Sequence, residues 1–465
     1  MIKKLKQKFA DFRSQRATLD NMYTLNGRVP FFKSIPYGIQ HVLAMFVANI
    51  TPVMIVAGVC GISPKDTGTL IQTAMIIAGI ASLLQLFPIW KIGSKLPIIM
   101  GVSFTFVSVF CTVGAKYGYP TLIGAIIVGG LVEGTLGLFA KYWRKIITPV
   151  VSACVVTTIG FSLLSVGANS FAGGNGSAQF GAWQNWMLGG VSLLVCLIIN
   201  IFAKGHWKNL AVLGGLIVGY IVALCIGWVD FSALEGVKVV SLPKILPYKP
   251  VFNISAILSV AVIFLVSAAE TIGDSSALAA SALGREANDK EISGALACDG
   301  YASSLSGLLG CMPVTSFSQN VGLVAMTKVV NRFTIATGAL VMILAGLFPA
   351  VGAVLATLPE AVLGGCTIMM FGTIVISGIQ MLSRCGFSER NILIMALSLG
   401  IGIGFTQVPQ IFGIFPEIVR TIFAENCVAT VFLISILLDT VLPKDKKAKE
   451  PVKEAVVAEE IADEE

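Results

Sequence analysis

Pro313-Val314-Thr315-Ser316-Phe317-Ser318-Gln319-Asn320 lies among long apolar segments but does not read as a plain spanning helix. It opens on proline, runs through a short extended-looking stretch of Val, Thr, Ser and Phe, and then turns apolar from Val321. Pro97-Ile98-Ile99-Met100-Gly101-Val102-Ser103-Phe104 follows the same plan. By the segmentation below, these are segments 10 and 3. An offset of seven is odd and so reverses orientation across a bilayer. The pair therefore points to an inverted 7+7 repeat. Interrupted segments at corresponding positions of two repeats mark transporter sites near the midplane.

The remainder of the chain agrees with a membrane bundle. Hydrophobic residues make up 55% of its 465 residues and charged residues 12%, with a mean hydropathy of +0.86. Average soluble domains carry about 25% charged residues. That excludes a soluble enzyme, a disordered chain and a disulfide-rich secreted module, and continuous apolar runs speak against an outer-membrane barrel. Apolar runs bounded by charged or Gly/Pro/Asn clusters predict an all-α polytopic protein of about 14 segments. They fall near residues 36–60, 67–88, 97–113, 119–140, 146–168, 186–203, 209–229, 252–275, 291–310, 315–330, 333–357, 360–381, 391–408 and 424–442. Residues 1–35 read as a basic cytoplasmic leader with no signal peptide, and residues 443–465 as a charged, solvated tail.

Counting charges on alternate loops, 26 of the 32 Lys and Arg fall on the side of the two termini and 6 on the other. By the positive-inside rule, both termini are expected in the cytoplasm of a multi-pass protein of the cell membrane. The net charge of +7 is thus absorbed by loops facing a lipid bilayer, and no nucleic-acid partner is expected. Trp90, Trp143, Trp183, Trp186, Trp207 and Trp228 all fall at segment ends, where amphipathic indoles meet headgroups. The ten cysteines form no C-x-x-C pair and read as small core residues, so neither a metal site nor a cofactor is expected.

Ionisable groups inside a bilayer are costly and usually face a cavity or a partner. Glu270 and Asp274, in Ser267-Ala268-Ala269-Glu270-Thr271-Ile272-Gly273-Asp274, share a helix face at i, i+4. They read as a substrate acceptor and a proton or ion carrier; the plainer reading of Asp274 is a group meeting solvent near the cytoplasmic end. His41, after Gln40, reads as structural or coupling rather than as a direct substrate contact. Glu133, among glycines, reads as structural, and Asp299 is a further deep acid. Glu360 and Asp439 lie near segment ends, His206 lies in a loop, and the Gly-rich run 171–181 reads as an external loop rather than a phosphate cradle.

Segment 10 continues Ser318-Gln319-Asn320-Val321-Gly322-Leu323-Val324-Ala325-Met326-Thr327-Lys328. This resembles the signature of the nucleobase–ascorbate transporter family (nucleobase–cation symporter family 2): Gln, Glu or Pro, then Asn, any residue, Gly, four residues, Thr, and Arg, Lys or Gly. Gln40-His41, Glu270 with Asp274, and Asp299 in Cys298-Asp299-Gly300 extend the resemblance, which covers about residues 25–442. The resemblance implies short strands in segments 3 and 10. It implies a core domain from residues 36–140 and 252–357, and a gate domain from 146–229 and 360–442. Import of a purine or pyrimidine with protons is implied, and many members are dimers, so a homodimer is one expected state.

On that reading Glu270, Gln319, Phe104, Ser318, Phe317 and Asn320 bind substrate. His41, Gln40, Asp274, Asp299, Thr105, Ser103, Gly322 and Thr327 support the site or carry coupling. The residue types suit an oxidised purine, a flat plate edged with N–H and C=O groups. An ionised Glu270 offers two acceptors, Gln319 offers an acceptor and two donors, and Phe104 offers a ring face. Within the family, Gln at the signature's first position goes with xanthine or urate and Glu with uracil. Thr105 stands where xanthine-selective bacterial members tend to have Asn, which leaves xanthine and urate both open. The competing readings are a uracil permease of the same family, an anion carrier of the same broad fold, and a membrane enzyme or scaffold, the last without any supporting motif.

Overall fold

The computed structural model describes residues 17–443 except 175, 417 and 418; the expected tail lies outside the described residues from 444 onward. The first half comprises α1 (Phe31–Val59), α2 (Pro64–Leu86), β1 (Met100–Val102), α3 (Val107–Tyr117), α4 (Tyr119–Leu138), α5 (Pro149–Phe171), α6 (Trp183–Phe202) and α7 (Ala211–Cys225). The second comprises α8 (Ile254–Leu283), α9 (Asp289–Leu308), β2 (Val314–Ser316), α10 (Ser318–Thr327), α11 (Arg332–Gly346), α12 (Pro349–Ala356), α13 (Glu360–Arg384), α14 (Glu389–Gln407) and α15 (Cys427–Val441). Eight of these helices are long and apolar enough to cross a membrane. α7, α15 and the helical stretch Phe104–Tyr117 are shorter apolar pieces.

The two stretches that decided the reading are the two strands. They pair antiparallel, with Met100 opposite Ser316, Gly101 opposite Thr315 and Val102 opposite Val314. A two-stranded ribbon buried in a bilayer leaves its outer backbone groups without water, and those groups must find partners in the protein. Here side chains supply them. The Val102 amide donates to Asn49 Oδ1 at 2.8 Å, the Met100 amide to Ser82 Oγ at 2.8 Å, and the Val314 amide to Ser303 Oγ at 3.1 Å. α1, α2 and α9 thus each contribute one polar side chain to hold the ribbon.

Helices pack in two sets. α9 lies along α4, α8 packs on α4, and α11 packs on α1 and α2; α13 lies along α5 and α6, while α15 packs on α14 and α5. The α4–α9 contact is backbone against backbone: a Cβ placed on Gly300 would lie 2.0 Å from the Gly134 amide. Among the tryptophans, Trp90, Trp183, Trp186 and Trp207 are exposed, as a headgroup position requires.

Three boundaries depart from the sequence reading. α1 begins at Phe31 rather than residue 36, with Pro36 inside it. Pro36 cannot donate to the carbonyl four residues back, but that carbonyl belongs to the exposed Phe32, where the loss is cheap. Residues 333–357, expected as one span, form α11 and α12 with a bend of 79°. Pro349 at the start of α12 has no N–H to continue the helix. The Ala345 carbonyl, which residue 349 would have served, accepts from the Phe348 amide at 3.2 Å, and the Leu347 carbonyl accepts from the Ser241 amide of the loop before α8 at 3.2 Å. Finally, residues 18–28 of the leader are folded against the connection between α10 and α11.

Candidate functional site

A cavity of about 800 Å³ opens where β1 and β2 hand over to helices. Ser103, Phe104 and Thr105 wall it after β1, and Ser316 to Gln319 after β2. Glu270 and Asp274 of α8 face it together, as their spacing requires. The opposite wall comes from Ser152 on α5 and from Thr373, Ser377, Gln380 and Arg384 on α13.

The acids are joined by hydroxyls. Thr105 Oγ1 donates to Glu270 Oε2 at 2.6 Å. Ser318 Oγ lies 3.2 Å from Glu270 Oε1 and 2.9 Å from Asp274 Oδ2. Ser316 Oγ donates to Asp274 Oδ2 at 3.1 Å and touches Thr271 Oγ1 at 3.2 Å, and Thr271 in turn donates to the fully buried Asp299. The chain Glu270–Ser318–Asp274–Ser316–Thr271–Asp299 is continuous. Ser318 carries a single hydroxyl hydrogen but stands within bonding distance of two carboxyl groups. Either the one hydrogen is shared between the two carboxylates, or one acid carries a proton and both contacts are full hydrogen bonds.

The rest of the cavity suits a flat, edge-bonding guest. The Gln319 side chain is exposed to the cavity and has no protein partner among the described residues. The Phe104 ring is braced edge-on by Phe371 of α13, with centroids 5.3 Å apart and planes at 84°. Gly273 and Gly322 both face open space, where an added Cβ would meet no atom within 4 Å. Phe317 lines the wall and is otherwise buried.

Several expected residues sit elsewhere. Asn320 is buried and turned away from the cavity: the His41 ring N–H at Nδ1 donates to its Oδ1 at 2.7 Å. Asn320 lies about 100° further round α10 than Gln319, and its side chain is engaged by His41 rather than by the cavity. His41 thus touches α10 through Asn320 without lining the cavity, and Gln40 also lies off the wall. Asp299 lies behind β2. Ser103 does stand on the wall, where it caps the turn before α3, accepting from the Thr105 amide at 3.2 Å. Thr327 ends α10, its hydroxyl donating to the Leu323 carbonyl at 2.9 Å. Glu133 is buried with both carboxyl oxygens unpartnered among the described residues.

The sequence reading missed Ser316 and Thr271, which complete the acid chain, and Phe371, which braces Phe104. It also missed the polar stripe Thr373, Ser377, Gln380 and Arg384. The stripe's signal was present, since steps of four, three and four keep these residues on one face of an otherwise apolar helix.

The fold and this chain's sequence both have known counterparts. The transmembrane domain of a cyanobacterial bicarbonate transporter, BicA, matches with a TM-score of 0.57 at 18% identity, covering 86% of this chain and 98% of that one. The murine anion transporter Slc26a9 in its inward-facing state matches with a TM-score of 0.57 at 11% identity, covering 95% and 76%. These likenesses are of fold alone. In sequence, the chain is 35% identical to xanthine permease XanQ of Escherichia coli K12 over 439 residues, 91% of this chain and 94% of that one. It is 36% identical to uric acid permease PucK of Bacillus subtilis over 379 residues, 81% and 87% of the two chains. The model of a permease family, Xan_ur_permease, matches residues 32–411, and the chain belongs to this family, the nucleobase–ascorbate transporters.

Proposed function

We propose that this membrane protein is a symporter that imports xanthine, uric acid or both with protons, by alternating access. The observation that carries the substrate class is the pairing of Glu270 with the unpartnered Gln319 amide on one cavity wall. Glu270 accepts from ring N–H groups, Gln319 meets an N–H/C=O edge, and Phe104 takes the ring face. Gly273 and Gly322 leave room for a planar guest. The relatives named for xanthine and uric acid support the same class. The single hydrogen of Ser318 between two acids supports a proton as the coupling ion.

On this reading α1–α4 with α8–α12 form the core and α5–α7 with α13–α15 the gate. Substrate lies between them, touching Glu270 on one side and the α13 stripe on the other. The cavity runs toward Arg384 and Arg390, which the charge count assigns to the cytoplasm with both termini, so this conformation opens inward. An anion carrier is disfavoured by the acids in the cavity, and a uracil carrier by Gln319. A homodimer in the cell membrane is part of the same proposal.

The test is uptake of labelled xanthine and urate into cells lacking their own purine permeases. Accumulation that collapses with an uncoupler, and is competed by cold xanthine and urate but not by uracil, is expected. Uptake of neither purine overturns the reading.

A further inference from the structure

Asn331 is fully buried and uses both ends of its amide. Its Oδ1 caps α11, accepting from the Phe333 amide at 3.0 Å and the Thr334 amide at 3.1 Å. Its Nδ2 points the other way, into the leader, toward the carbonyls of Asn21 at 3.0 Å, Thr24 at 3.0 Å and Gly27 at 2.7 Å. The main chain reinforces this contact. The amides of Val330 and Asn331 both donate to the Met22 carbonyl at 3.1 Å, and the Arg332 amide donates to the Leu25 carbonyl at 3.2 Å. Met22 is buried beneath. Arg332 adds a bond from its guanidinium to the Asn26 side chain and another to the Leu86 carbonyl, 2.7 Å away at the end of α2.

This cluster begins at Val330, three residues after Thr327, the last residue of α10. α10 has ten residues and carries Ser318 and Gln319 in its first turn. At 1.5 Å per residue it is about 15 Å long, so its C-terminal anchor lies within three turns of Ser318 and Gln319. Its C-terminal end is fixed on one side by Lys328, in the left-handed conformation with φ 58°, whose Nζ donates to the Ser281 carbonyl of α8 at 2.6 Å. The leader fixes the other side.

We propose that residues 18–28 are a clamp that sets the position of α10, with Asn331 as the positioning residue through which it governs substrate affinity. No residue of the clamp lines the cavity, so its effect is indirect. The affinity part rests on the reading that Ser318 and Gln319 contact substrate; the mechanical part does not.

The test uses the purified full-length protein. Asn331→Asp keeps the oxygen that caps α11 but removes the Nδ2 donors and sets a charge against three carbonyls. Met22→Asp releases the clamp from the leader side and leaves the cap untouched, and it decides the matter if Asn331→Asp does not fold. Met22→Leu is the conservative control. Hydrogen–deuterium exchange reads the leader and α10 separately. Calorimetry with xanthine reads affinity, and proteoliposome uptake separates KM from kcat. Both Asp variants are expected to raise exchange in residues 18–28 and, at least tenfold, in 318–327. Xanthine Kd and KM should rise at least tenfold with kcat within twofold, and Met22→Leu should match wild type. Leader release with α10 exchanging at the wild-type rate overturns the clamp, as does leader release with unchanged xanthine Kd. If the wild type binds neither xanthine nor urate, the substrate reading fails, and exchange in α10 still decides the clamp.

Discussion

Replacing Glu270 with Gln changes one atom's identity and removes one charge, and the structure separates what this does to the protein from what it does to a ligand. Among the described residues, Glu270 meets only hydroxyl partners, Thr105 at 2.6 Å and Ser318 at 3.2 Å. A hydroxyl rotates and can accept from an amide N–H as readily as it donates to a carboxylate. The fold therefore tolerates Glu270→Gln. A purine N–H has no such freedom. It loses a charge-assisted bond worth about 1.5–3 kcal/mol, and a buried donor left unpaired costs about 1–3 kcal/mol more. The sum, about 2.5–6 kcal/mol, corresponds to about two to four orders of magnitude in Kd. Calorimetry of xanthine and urate against the purified variant measures it, with the melting temperature as the control on folding. Glu270→Asp keeps the charge one methylene further back and should retain weak binding. A folded Glu270→Gln protein with wild-type affinity would remove Glu270 from the substrate site and with it most of the mechanism.

Gln319→Glu replaces two amide donors with acceptors and should weaken xanthine and urate by about 1–3 kcal/mol while favouring uracil; uptake competition measures the switch. Gly322→Val fills open cavity space and should block uptake while leaving the melting temperature within a few degrees; full transport would place the ring elsewhere. Gly300→Ala drives a methyl into the α4 backbone and should cost about 1–3 kcal/mol or more, read as lost thermal stability in detergent. Sodium-driven accumulation with no proton gradient would refute the coupling ion.

Most of the fold was legible because a bilayer allows few solutions. Long apolar runs, loop charges and Trp positions gave the helices; the matched Pro97 and Pro313 stretches marked two interrupted segments, and the strands in them came from the family resemblance. The Glu270–Asp274 pair was legible because both acids lie on one helix at i, i+4. The partners of Asp299 were not. Thr271 is adjacent to Glu270 in sequence but points to another face, and Ser316 joins it only because β2, paired with β1, lies beside α8. Asn320 illustrates the opposite error. Its place in a matched motif suggested substrate contact, but its amide meets His41 behind the wall, a contact that sequence spacing does not show. The bend at Pro349 was readable and was overridden by the length of the apolar run.

The ribbon also constrains how the molecule is made. β1 leaves the ribosome more than 200 residues before β2, and its inner carbonyls and amides have no partner until Val314–Ser316 arrives. In a hydrocarbon interior each such group costs several kcal/mol while unpaired. The first half therefore cannot settle its segment 3 at depth by itself. The cavity beside the ribbon is the last part of the fold to close, and it closes only when both halves have been inserted. Quality control that senses unpaired backbone in the bilayer would then be inspecting the binding site itself. A truncated or misthreaded chain is marked as defective by the absence of the feature that would have made it a carrier.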